Sequence, residues 1–170
     1  MEKQLSFFKE TKLLQNHKWE VFVDGASRNN PGPSGAGVYI KKGDKKIIKD
    51  GFYLGKKTNN QAEYLALTVA LFLLNKELEK LNEPKASIII TSDSELLIKQ
   101  MKGEYKVKNP ELKRIKGLID QILEEKNCKF KHVLREENTI ADKLANNGID
   151  NKKKLPARFI DLLIRRGISV

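Results

Sequence analysis

Residues 60–81, NQAEYLALTVALFLLNKELEKL, carry apolar side chains at Ala62, Leu65, Ala66, Val69, Ala70 and Leu73, a helical period. In its middle this segment is apolar nearly all round, so a helix here must have protein on more than one side. Its apolar stretch LALTVALFLL is too short to cross a bilayer. The following ASIIITSD is a continuous apolar run of strand length, as expected of a strand covered on both faces. A buried helix beside a doubly covered strand calls for layers of helix and sheet.

The rest of the chain supplies those layers. WEVFVD reads as a first strand, and AGVYIKK and KKIIKDGFYLG flank KGDK as an antiparallel hairpin. After the helix and ASIIITSD come two helical segments, SELLIKQMKG and PELKRIKGLIDQILEEK, then the strand CKFKHVL and the helix TIADKLANNG. The expected fold is α/β: a five-stranded mixed sheet, three antiparallel strands followed by parallel ones, with helices on both faces. Residues 1–18 read as a polar arm, and 151–170 as a basic tail whose LPARFIDLLIRRGISV suits an amphipathic helix.

With 170 residues the chain has the size of one domain. Lys and Arg number 33 against 22 Asp and Glu, a formal charge of +11. That excess suits a polyanionic partner, though a lysine-coated solvated surface explains it as well. Cys128 is the only cysteine, so no intrachain disulfide forms. It reads as a small core residue. The N-terminal stretch lacks the apolar core of a signal peptide, and a cytoplasmic monomer without membrane attachment is expected.

Strand directions can be counted. Two hairpin connections return the third strand parallel to the first, and helical crossovers make the fourth and fifth parallel to it too. Asp24 and Asp93 then end their strands at the same edge, and Glu63 and Asp142 lie in the first turns of helices starting there. Each acid has an ordinary explanation. Asn60–Glu63 and Thr139–Asp142 fit capping boxes; Asp93 could cap the helix near Ser94, and Asp24 could start an Asx turn. Together, four anions on one edge repel one another and are driven towards protonation. A divalent cation removes that penalty, and oxygen ligands alone suit Mg²⁺ or Mn²⁺ rather than zinc.

DGASRNNPGPSGAG, TNNQAEY, TSDSELLIKQMKGEYKVKN and REENTIADKLAN resemble the motifs of type 1 ribonuclease H, in order, from about residue 19 to 148. The resemblance implies a ribonuclease H domain over 19–150 that hydrolyses the RNA strand of RNA/DNA hybrids, leaving 5′-phosphate and 3′-hydroxyl ends. It implies two Mg²⁺ (or Mn²⁺) ions held by Asp24, Glu63, Asp93 and Asp142 as the catalytic tetrad. It also implies minor-groove contacts by Asn30, Asn59 and Asn60, and a DNA phosphate at Thr58. The Gly/Pro/Asn stretch after Asp24 reads as a loop that lets backbone approach the groove.

Three features depart from the common bacterial pattern. The loop before the last helix, LREEN, lacks histidine, and Arg135 stands near its place, as in shorter members of the family. Arg135 could bind a phosphate during catalysis, or pair with Glu136, Glu137 or another acid. Glu95 replaces a usual Gln and reads as a capping residue opposite Ser92. The basic handle is missing, but Lys99, Lys102, Lys106, Lys108, Lys113, Arg114 and Lys116 make a basic stretch around Tyr105, with Lys106 and Lys108 as candidate substrate contacts. His132 reads as packed or solvent-facing, and His17 carries no signal. Two rivals remain: a binding module without catalysis, disfavoured by the full set of acids, and an integrase-like transferase, disfavoured by TNNQAEY.

Overall fold

β1 (Lys18–Ser27) lies at the centre of a five-stranded sheet of order β3–β2–β1–β4–β5. The protein's computed structural model describes residues 18–169. His17 and, except for Lys18, the expected N-terminal arm lie outside the described residues. β2 (Gly32–Lys42) runs antiparallel to β1, and β3 (Lys45–Lys57) antiparallel to β2. β4 (Ser87–Ser92) is parallel to β1, and β5 (Asn127–His132) parallel to β4. This is the expected mixed sheet. The pairing of Phe22 with Thr91 sets the β1–β4 register. Asp24 and Asp93 each follow two residues later, so they stand at one level of the sheet.

α1 (Asn59–Lys80) buries Ala62 and the unbroken run Tyr64–Leu71. It packs on β1 and β2 and against α3 (Pro110–Leu123). Each fully buried leucine in that run contributes on the order of 1.5–3 kcal/mol. α2 (Glu95–Met101) follows β4 directly. A 3₁₀ turn, Arg135–Glu137, leads from β5 into α4 (Thr139–Asn151), which packs across β1, β2 and β3.

Glycines decide how closely the helices approach. A Cβ on Gly25 would stand 2.2 Å from the Glu63 backbone nitrogen, and one on Gly37 only 1.9 Å from the Ala141 carbonyl oxygen. Gly37 pairs with Asp24, the neighbour of Gly25, and successive strand residues point to opposite faces. α1 and α4 therefore cover opposite faces of the sheet. This corrects the reading of the stretch between Asp24 and Ala36 as a loop: β1 continues through Ser27, β2 begins at Gly32, and only residues 28–31 turn. Gly25 admits α1 to the sheet, and Gly35 and Gly37 admit α4.

Beyond α4, Lys152 adopts a left-handed conformation (φ 50°) and the chain turns back. Tyr53 N–H of β3 donates to the Lys153 carbonyl at 2.7 Å. α5 (Ala157–Arg165) then buries Phe159 and Leu163, with the Phe159 ring 5.3 Å from that of Phe72 on α1. Cys128 packs half-buried against the core, and burial pushes its thiol up to about 12.

Candidate active site

Asp24, Glu63, Asp93 and Asp142 line one cavity of about 300 Å³ at the carboxyl edge of β1 and β4, with Arg28, Asn59, Arg135 and Asn146 around them. The acids come from a strand, a strand end and the early turns of two helices: Asp142 lies in the first turn of α4, whereas Glu63 lies one turn into α1 rather than in its first turn as expected. A larger hollow of about 630 Å³ sits at the opposite edge, where β4 and β5 begin, lined by Leu78, Pro84, Lys85, Lys126 and others. Its acids, Glu79, Glu124 and Glu125, are exposed, whereas Asp24 is buried, so chemistry rather than size selects the site.

The capping explanations for the acids do not survive. The N-cap of α1 is Thr58, whose hydroxyl accepts from Gln61 N–H at 3.2 Å while the Gln61 side chain accepts from Thr58 N–H at 2.8 Å. The box therefore sits two residues ahead of the expected Asn60–Glu63. Glu63 is left to accept from Gly25 N–H at 3.1 Å, across to β1. Ser94, not Asp93, caps α2. α4 has no side-chain cap, and Asp142 pairs with Arg135 at 3.1 Å. Asp24 is only 6% exposed.

Such crowding has an electrostatic consequence. Burial, then the like charges of Asp93 and Asp142, pushes the Asp24 carboxyl up to about 7, against the opposing pull of Arg135 and Gly25 N–H. Burial, then Asp24 and Asp93, holds Glu63 well above the ordinary carboxylate range. Among the described residues no three acid, histidine or cysteine side chains are drawn together as a finished metal cage. Glu63, Asp93 and Asp142 are each directed onto a donor of the protein itself. A set of hard oxygen donors that repel one another in a partly dry cavity suits a divalent cation such as Mg²⁺ or Mn²⁺.

One residue of the site has no counterpart in the expectations above. Asn138, 2% exposed, donates from Nδ2 to Asp93 Oδ1 at 2.7 Å and to the Val23 carbonyl at 2.9 Å. Its Oδ1 has no hydrogen-bond partner among the described residues. In sequence it reads as an ordinary helix N-cap, but it makes no side-chain capping bond. Nothing local signals that it faces two strands.

The remaining candidates divide. Asn30 Oδ1 accepts from Asn59 N–H at 2.9 Å, tying the β1–β2 turn to the start of α1. Asn59 lines the cavity and Asn60 is exposed beside it. Thr58 uses an acceptor site of its hydroxyl as a cap and keeps its proton to donate. Lys106 and Lys108 are exposed, between α2 and α3, outside the cavity and without an ion pair among the described residues. Glu95 does not cap opposite Ser92; it pairs with Lys99 at 2.6 Å, and Lys99 also lies over the Tyr105 ring. His132 is exposed, with Nε2 3.2 Å from the Asp93 carbonyl.

The RNase H family model matches residues 16–150. A ribonuclease HI of Halobacterium salinarum is 36% identical over 138 residues, which are 77% of this chain and 64% of that protein. A bifunctional protein of Mycobacterium tuberculosis is 34% identical over 136 residues, 76% of this chain and 35% of that protein. The chain thus spans about a third to just under two thirds of these curated relatives. LC11-RNase H1, isolated from compost, superposes with a TM-score of 0.72 at 42% identity, covering 79% of this chain and 97% of that one. Its complex with an RNA/DNA hybrid superposes with the same score at 39% identity, covering 78% and 97%. The sheet order and helix placement, together with a family match that takes in all four acids, make this chain a member of the RNase H family.

Proposed function

We propose that the protein is a metal-dependent endonuclease that hydrolyses the RNA strand of RNA/DNA hybrids, leaving 5′-phosphate and 3′-hydroxyl ends. The observation that carries this reading is the convergence of Asp24, Glu63, Asp93 and Asp142 from four elements on one cavity. Asp24, Glu63, Asp93 and Asp142 would hold two Mg²⁺ or Mn²⁺ ions when substrate is bound. Bound there, the ions supply an activated water and neutralise the leaving 3′-oxygen.

The chain's own residues do the rest. Asp24 sits on a central strand and stays rigid. Asn138 fixes the carboxylate of Asp93. Arg135, always protonated, offers a planar fork to the scissile or a neighbouring phosphate. Asn30, Asn59 and Asn60 read the minor groove, where RNA displays its 2′-hydroxyls. Thr58 donates to a DNA-strand phosphate, and Lys106 and Lys108 meet phosphates further along. Residues 19–150 carry this machinery, in a shorter type 1 variant with arginine near the usual loop histidine. The enzyme works as a cytoplasmic monomer; among the described residues no helix is long and apolar enough to cross a membrane.

Labelled RNA/DNA, RNA/RNA and DNA/DNA duplexes, incubated with the protein with and without Mg²⁺, test the reading. Metal-dependent cutting of the RNA strand of the hybrid is expected, and Asp93→Asn should abolish it while hybrid binding persists. Binding without cleavage by the wild type would make the chain a binding module, and normal cleavage by Asp93→Asn would remove the tetrad.

A further inference from the structure

The family match stops at residue 150, yet the segment beyond it is built into the molecule. Phe159 and Leu163 are fully buried and Ile168 is 3% exposed. Gly167 takes a left-handed conformation (φ 64°), and Ile168 N–H returns to the Leu163 carbonyl at 3.0 Å, a helix-terminating turn. That turn aims Ser169 at the start of α1.

There Lys57 Nζ donates to the Ser169 carbonyl at 3.0 Å and to its Oγ at 3.2 Å. Ser169 Oγ donates to one oxygen of Glu111, and the other accepts from the Gln61 side chain. Gln61 closes the capping box with Thr58. Lys57, only 6% exposed, immediately precedes Thr58, Asn59 and Asn60. A buried ammonium needs acceptors, and the tail provides them. The charge of Glu111 is opposed by the Lys57 ammonium, and both of its oxygens accept within the same network.

We infer that the C-terminal segment is a brace for the substrate-contacting edge. Ser169, Lys57, Glu111 and Gln61 are positioning residues that hold Thr58–Asn60 where the hybrid meets them. This rests on the substrate role proposed above for those three residues. Lys57 acts through its inward bonds to the tail and does not contact phosphate.

The test compares the 170-residue wild-type chain with Lys57→Met, Ile168→Asn and the double variant. It reads KM and kcat on a labelled hybrid, the salt dependence of hybrid binding, melting temperature, and hydrogen exchange at residues 58–61. Each single variant should raise KM about threefold to tenfold, the scale of one or two lost hydrogen bonds, with kcat little changed. The double variant should be no worse than the poorer single one, because both open the same network. The amides of residues 58–61 should exchange faster in folded protein. Wild-type KM in Lys57→Met, additive effects, or unchanged exchange would overturn the brace. A salt slope reduced by about one in Lys57→Met alone would make Lys57 a direct phosphate contact, which also overturns it. A wild-type chain that neither binds nor cuts the hybrid would sink the functional reading instead, leaving exchange to judge the brace.

Discussion

Asn138 holds Asp93: its Nδ2 donates to Asp93 Oδ1 at 2.7 Å and, with its second proton, to the Val23 carbonyl at 2.9 Å. The amide thereby locks the end of β4 against β1 at the level of Asp24. Asn138→Ala should cut hybrid cleavage about tenfold to a hundredfold and raise the Mg²⁺ concentration needed for half-maximal rate, as expected for loss of a residue supporting a metal ligand. Asn138→Asp should be worse, because it sets a like charge against Asp93. Rate measured against Mg²⁺, with Mg²⁺ binding followed by calorimetry, checks this. Wild-type metal dependence in both variants would deny Asn138 the role.

The raised carboxyl of Asp24 makes a prediction about stability without metal. Its value in the fold, about 7, lies above the 3.8 of an ordinary aspartate. Between those limits the folded state binds more protons than the unfolded one, so stability falls as pH rises. Metal-free protein should therefore lose melting temperature from about pH 4 to about pH 7 through this group. Asp24→Asn removes the buried charge and should melt higher than wild type at pH 8, by on the order of 5 °C. Melting curves in chelator across pH decide it, and a variant that melts lower at pH 8 would refute the repulsion account.

Arg135 is tied to Asp142 at 3.1 Å with a side chain 75% exposed. An exposed pair contributes only about 0–1 kcal/mol, so Arg135→Ala should leave melting nearly unchanged. If Arg135 serves a phosphate, the same variant should slow single-turnover cleavage clearly without changing the shape of the pH–rate profile. Arg135→Lys should recover only part of the rate, since the planar fork is gone. Wild-type rates in Arg135→Ala would leave the ion pair as its whole function, and a lost pH limb would reassign its chemistry.

Lys106 and Lys108 carry no ion pair among the described residues, whereas Lys99 and Lys116 of the same basic stretch are paired with Glu95 and Asp120. Replacing both free lysines by Ala should flatten the log–log salt dependence of hybrid binding by up to about 2 units. An unchanged slope would return the stretch to a solvated surface.

Strand directions, and hence the edge on which Asp24, Glu63, Asp93 and Asp142 meet, follow from the order of elements along the chain. Hairpins and helical crossovers each permit one direction, so counting connections suffices. The sequence also carried the family resemblance, because that rests on motifs local in the chain. Tertiary structure alone decided what the acids and their neighbours touch. Asn138 bonds to residues 45 and 115 positions away, and Lys57 to one 112 positions away. Its Asn-before-helix pattern and the lysine's place at a strand end are compatible with many partners. The same holds for Gly25 and Gly35, which look like loop residues until α1 and α4 are seen against them. Local patterns state what a residue can bond; only packing brings one partner within reach and excludes the rest.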